Sequence, residues 1–138
     1  MEIRVYLESD EVAVSALWSS VFGYATPHNA PGFVIKRKVE YQRELFFVAI
    51  EDAKVVGTVM AGYDGHRGWI YSMAVAPEYR RRGIATALMK HAENALKERG
   101  AAKINLQLLA SNAATCEFYK TLGYSIEERI SMGKVMPQ

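Results

Sequence analysis

At 138 residues, the chain has the length of one domain, enough to bury roughly two-thirds of its unfolded surface. Half of its residues are hydrophobic and 23% are charged, with 10 glycines and 4 prolines, which excludes the fibrous and disordered classes. Seventeen basic against fifteen acidic residues leave a net charge of +2, too little by itself to imply a nucleic-acid partner. No stretch approaches the ~20 apolar residues of a membrane span. The opening MEIRVYLESD carries acids and no apolar core, so it does not read as a secretory signal. A cytoplasmic location without a membrane partner is the expectation. Cys116 is the single cysteine; it leaves no intrachain disulfide or thiolate cluster and reads as a small buried hydrophobe.

In chain order, EIRVYL alternates as a first strand, and Ser9 and Asp10 stand where they can cap a helix carrying Val12, Ala16, Leu17 and Val21. FGYATPHNAPG breaks the pattern. Pro31 then opens a second helix through Val34, Ile35, Lys38, Val39 and Gln42, with RKVEYQRE as its solvated side. Three strands follow, LFFVAIE, VVGTVMAGY and WIYSMAV, separated by the turns DAK and DGHRG in the cadence of an antiparallel meander. From Ala85 the apolar residues Leu88, Met89, Ala92, Ala95 and Leu96 share one helical face until Gly100. KINLQLL reads as a further strand, Asn112 as the cap of a short helix ending at Gly123, and YSIEERI with SMGKV as a closing hairpin. The reading is a mixed α/β fold, a largely antiparallel sheet flanked by helices in the order β-αα-βββ-α-β-α-ββ, forming one domain over 1–138.

VAPEYRRRGIATALMKH places three arginines before a glycine at a helix start. The first amides of a helix lack intrahelical acceptors, and the helix dipole adds positive potential there. Gly83 and Ala85 leave the backbone open to an anion, and Arg80, Arg81 and Arg82 add charge, so a phosphate or diphosphate ligand is predicted. A merely solvated basic helix start is the alternative. Neither a P-loop nor GxGxxG is present, and no His, Asp or Glu spacing suggests a metal site.

Arg80, Gly83 and Ala85 satisfy the pattern [QR]-x-x-G-x-[GA], and downstream SNAATCEFYKTLGY supplies Asn112, Tyr119, Gly123 and Tyr124 for N-x-x-A-x-x-x-Y-x-x-x-G-[FY]. With these two segments in this order the chain resembles the GNAT family of acyl-CoA-dependent N-acetyltransferases, over nearly its whole length. MEIRV and GTVMAGYDGHRG are similar, more narrowly, to a small bacterial subgroup, the YpeA-like acetyltransferases. Two positions depart from the family pattern: Arg81 stands where glycine is frequent, and Thr115 where alanine is.

The resemblance implies acetyl-CoA as cosubstrate and transfer of its acetyl group to a primary amine, on a small molecule or a peptide, by direct attack. It places the backbone of Arg81, Arg82, Gly83, Ile84 and Ala85 on the coenzyme A diphosphate. The main chain of Met73, Ala74 and Val75 would pair with pantetheine like an added strand, and the amide near Met73 would face the thioester carbonyl. That last role requires a bulge or splay in the strand. Asn112 would touch the pantetheine arm, although helix capping explains it equally. Tyr119 would be the acid that protonates the departing thiolate, its ordinary pKa of about 10 lying near that of an alkyl thiol. WIYSMAV carries no carboxylate, so proton removal from the amine would run through a water held by Tyr71, Ser72 or a carbonyl. The acceptor would enter near the DGHRG turn and the YATPHN loop, where Asp64, His66, Arg67, His28 and Asn29 are candidate contacts; turn and loop roles are the alternatives. A non-catalytic acyl-CoA sensor is the rival function. A homodimer through the SIEERISMGKV end is compatible with the pattern.

Overall fold

The computed structural model describes residues 1–23 and 27–137. They divide into two compact units, Met1–Gln107 and Leu108–Gln138. The first holds strand β1 (Glu2–Val5), helix α1 (Glu11–Phe22), helix α2 (Pro31–Glu40), strands β2 (Phe46–Glu51), β3 (Lys54–Tyr63) and β4 (Gly68–Val75), helix α3 (Ile84–Glu98) and strand β5 (Ile104–Leu106). The second holds helix α4 (Ala113–Thr121). No helix among the described residues is long and apolar enough to cross a membrane.

The sheet of the first unit runs β1-β2-β3-β4-β5 in space. Its first four strands pair antiparallel, and β5 pairs parallel with β4. The β2–β3 turn is Asp52–Ala53, both with positive φ (53° and 60°), which matches the strand twist as a primed turn does. The β3–β4 turn is built on Asp64. Its Oδ1 accepts from the His66 and Arg67 amides at 2.8 and 2.7 Å, and its Oδ2 accepts from the Trp69 indole at 3.1 Å. These donors hold its carboxyl down at about 2.

α1 and α2 cover one face of the sheet. Tyr6, Val14, Leu17, Trp18, Ile35, Phe46, Val48, Met60 and Ala74 form the core there, with the Tyr6 and Phe46 rings stacked at 4.5 Å. The buried stripe of α1 is Val14, Leu17 and Trp18, not the predicted stripe starting at Val12, which is 83% exposed. Its predicted cap also differs. Asp10 makes no side-chain cap; its carboxylate takes two bonds from the Arg4 guanidinium, at 2.8 and 3.0 Å, and one from the Leu7 amide at 2.8 Å. α3 covers the other face with Ile84, Leu88, Met89, Ala92 and Leu96. It approaches where the strands lack side chains: a Cβ on Gly68 would lie 2.6 Å from Leu96 Cδ1, and one on Gly57 3.0 Å from Leu88 Cδ1.

Two further sequence expectations are corrected. β5 covers only Ile104–Leu106, because its partner edge on β4 ends at Ile70. The closing hairpin does not form, since residues 124–137 contain no strand. Ile126, Ile130, Met132 and Val135 of that segment are 67–92% exposed. With neither side of the alternation buried, nothing fixes a register, and a lone two-stranded hairpin is marginal in water.

Candidate functional site

The bulge that the role of the Met73 amide requires is present in β4. Met60 pairs with Tyr71 and Thr58 with Ala74, so β4 spends three residue steps where β3 spends two. The surplus residue sits at Ser72, whose φ is 51°. Such an insertion reverses the alternation of the strand. The Gly68 amide donates to Lys103 on the β5 side, and an unbroken strand would keep the even residues pointing there. Beyond the bulge, however, the Ala76 amide donates to Val56 on the β3 side at 2.8 Å. Val75, and Met73 by the same alternation, therefore turn their main-chain groups away from β3. Pairing with β5 ended at Ile70, so this stretch of β4 presents an open edge.

A buried polar chain holds the bulge. Thr58 is fully buried. Its hydroxyl donates to the Ser72 carbonyl at 2.9 Å and accepts from the Trp18 indole N–H at 2.8 Å. The sequence gives no hint of this link, because Trp18 and Thr58 lie 40 residues apart and each alone reads as an ordinary packed residue.

Past Val75 the chain turns through Pro77–Tyr79 and reaches α3. The Arg80 Nε donates to the Val75 carbonyl at 3.2 Å, and the Arg82 guanidinium lies 4.8 Å from the Tyr79 ring centroid. Arg81 and Gly83 both have positive φ, 64° and 81°. The earliest α3 amide tied to a carbonyl of the turn is that of Ala87, on Gly83 at 3.0 Å, so the amides of Ile84, Ala85 and Thr86 have no intrahelical acceptor. No acid stands in the first turn of α3. This end of the first unit combines oriented amides, a helix dipole and three guanidinium groups, a setting suited to a polyanion. Bare main chain at Gly83 and an open strand edge beside it fit a diphosphate with an extended amide-bearing arm, so the residues present suit coenzyme A.

On the α1–α2 face of β4 stands Tyr71, 42% exposed. Lys38 reaches it from α2 and is buried, at 6% exposure, in keeping with its place beside Val34 and Ile35 in the predicted helix and against its inclusion in the solvated RKVEYQRE side. Asp64, His66 and Arg67 lie together in the β3–β4 turn, with the Asp64 carboxylate committed to that turn as described. His28 and Asn29 belong to a short turn at Pro27–Asn29; residues 24–26 of the predicted entry loop lie outside the described residues. Among the described residues, no group of three or more His, Cys, Asp or Glu side chains comes together.

In the second unit, Asn112 caps α4, accepting from the Thr115 amide at 3.3 Å. Tyr119 is 5% exposed, with Phe118 and Tyr124 edge-on at 5.1 and 5.8 Å. Burial pushes its hydroxyl up to about 12, so the ordinary phenol value assumed from sequence does not hold. Cys116 is only partly buried.

The family described as "Acetyltransferase (GNAT) family" matches residues 12–124. Acetyltransferase YE1169 of Yersinia enterocolitica is 41% identical over 134 residues, covering 97% of this chain and 94% of that protein. Among solved structures, Ard1 from Thermoplasma volcanium superposes with a TM-score of 0.80 at 25% identity, covering 91% of this chain and 83% of its own. The NatC complex bound to Gag peptide and CoA superposes at 0.78 and 22% identity, over 94% and 89% of the two chains.

Proposed function

The chain belongs to the GNAT acetyltransferase family and is thereby an acyltransferase, and on that footing we propose that it transfers the acetyl group of acetyl-CoA to a primary amine, acting as one domain over 1–138. The observation that carries the proposal is the Ser72 bulge, which aims the main chain of Met73 and Val75 at the open edge of β4.

In this reading the amides of residues 81–85 bind the diphosphate, and the edge from Met73 to Val75 aligns the pantetheine arm, with Asn112 a further contact to it. The Met73 amide donates to the thioester carbonyl oxygen as negative charge builds there; a donor so aimed contributes roughly 2.7 to 4 kcal/mol in measured oxyanion holes. A rigid strand supplies that donor without reorganisation during the reaction, which is why a bulge pinned by Thr58 suits the task. Tyr119 supplies a proton to the leaving thiolate. Its raised pKa keeps the phenol protonated at neutral pH, at the cost of a less favourable transfer to a thiolate whose own pKa is lower. The acceptor amine must be neutral to attack, and Tyr71 or Ser72 orients it or the water that takes its proton. Amines with pKa near 8, such as peptide α-amines, meet that need more easily than lysine side chains.

The test is thiol release from acetyl-CoA over a panel of peptide N-termini, amino acids, polyamines and aminoglycosides, with mass spectrometry of the amine. Amine-dependent release with one acetyl group added to the amine is the expected result. Binding of acetyl-CoA without release would instead favour a sensor of the same fold.

A further inference from the structure

A lysine is rarely buried without a carboxylate partner. Lys38 breaks that pattern: its Nζ donates to the Ala61 carbonyl at 2.5 Å and lies 2.9 Å from the Tyr71 hydroxyl. The ammonium also sits 5.2 Å from the Tyr71 ring centroid. Space for this arrangement comes from Gly62, where a Cβ would lie 2.9 Å from the Tyr71 hydroxyl oxygen. Tyr71 is partly exposed and directly precedes the bulge that sets Met73. Its hydroxyl thus joins a buried amine to a partly exposed ring on the α1–α2 face of β4.

We propose that Tyr71 and Lys38 form a proton relay for the acceptor amine, with Tyr71 touching the substrate and Lys38 acting through it. This rests on the amine-acetylation reading above. As the amine nitrogen bonds to the acetyl carbon, one N–H proton passes to the Tyr71 oxygen while the Tyr71 hydroxyl proton passes to neutral Lys38 Nζ. The carbon–sulfur bond breaks, and the thiolate takes the Tyr119 proton. Each turnover leaves Lys38 one proton richer and Tyr119 one proton poorer, and solvent restores both. Neutral Nζ fits its surroundings: an N–H faces Ala61, and the lone pair is left for Tyr71 O–H.

Burial favours the neutral amine and pulls Lys38 down to about 8. Of the charged groups acting on it, Glu44 opposes this shift and Arg99 reinforces it, and those two are bonded to each other at 2.6 Å. Tyr71 itself is raised, by burial first and then by Tyr41, so it passes a proton on rather than resting as phenolate.

The experiment compares kcat/KM of the wild type with Lys38→Arg and Tyr71→Phe from pH 6 to 10, using the best amine from the panel; acceptor ionisation cancels in each ratio. Arginine keeps the charge and donors but never becomes a base. The wild-type to Lys38→Arg ratio should rise with pH through a midpoint near 8 to a plateau on the order of 100-fold, and Tyr71→Phe should lose the same limb. A ratio flat across the pH range would mean a structural lysine and overturn the relay. NMR of wild type carrying carbon-labelled lysine reads Lys38 without any acceptor. Titration near 8 supports the relay, and a Lys38 still charged at pH 10 overturns it. Absence of any wild-type turnover with every amine would instead sink the acetylation reading, which separates the two failures.

Discussion

Thr58→Val removes one hydroxyl from the point where α1, β3 and the β4 bulge meet, with almost no change in shape. Thr58 has no exposed surface, and its hydroxyl is the partner of two groups, the Trp18 indole N–H and the Ser72 carbonyl. The indole is buried with Trp18 at 2% exposure, so losing its acceptor costs about 1 to 3 kcal/mol. Ser72 is only part-buried, so its carbonyl can recover a water, adding roughly 0.5 to 1 kcal/mol. The new methyl returns about 0.8 kcal/mol. Urea unfolding should therefore show a loss of about 1 to 3 kcal/mol with an unchanged slope. Thr58→Ser keeps the hydroxyl, gives up the methyl, and should retain the bulge. Because the bulge aims Met73, the valine variant should also lose turnover at saturating substrate more than the serine variant does. Valine as stable and as active as wild type would refute the claim that this hydroxyl holds the strand irregularity.

Gly83→Ala places a side chain at φ 81°; stability should fall by about 1 to 2 kcal/mol, and acetyl-CoA should bind more weakly by calorimetry. Tyr119→Phe should lower kcat by about 10- to 1000-fold while leaving the cofactor dissociation constant nearly unchanged. Gly62→Ala should fold normally, because the Tyr71 side chain can swing aside, yet lose the high-pH advantage ascribed to Lys38, read from its pH–rate profile. The Asp10 carboxyl is depressed: burial pushes it up, but the Arg4 guanidinium and the Leu7 amide outweigh that. A depressed acid stabilises the fold above its unfolded pKa and loses that contribution as pH falls through the folded value. Asp10→Asn should cost about 1.5 to 3 kcal/mol at neutral pH, and urea curves at falling pH should show the difference from wild type closing below the ordinary aspartate range.

The elements whose boundaries are set locally were legible in the sequence. Pro31 opened α2 where expected, the DGHRG turn closed the β3–β4 hairpin on Asp64, and the run from Ile84 to Glu98 formed the amphipathic α3. Features set by distant partners were not. Whether β4 contains an extra residue depends on its pairing with β3, and its support comes from Trp18 on another element. Lys38 looked like one more charge in RKVEYQRE until α2 was seen to seat it on β3 and Tyr71. Alternation in SIEERISMGKV was misleading for the converse reason, as a strand pattern without a surface to bury against does not become a strand.

The central claim is that the open edge of β4 and the start of α3 together bind coenzyme A through main-chain groups. Amide-resolved NMR during titration with acetyl-CoA tests it directly. The account predicts that the amides of Met73, Val75 and residues 81–86 shift together and gain protection from solvent exchange, with the wild-type side chains of Arg80–Arg82 contributing salt dependence only. Saturable binding that leaves those amides unmoved, or no binding at millimolar acetyl-CoA, would contradict it.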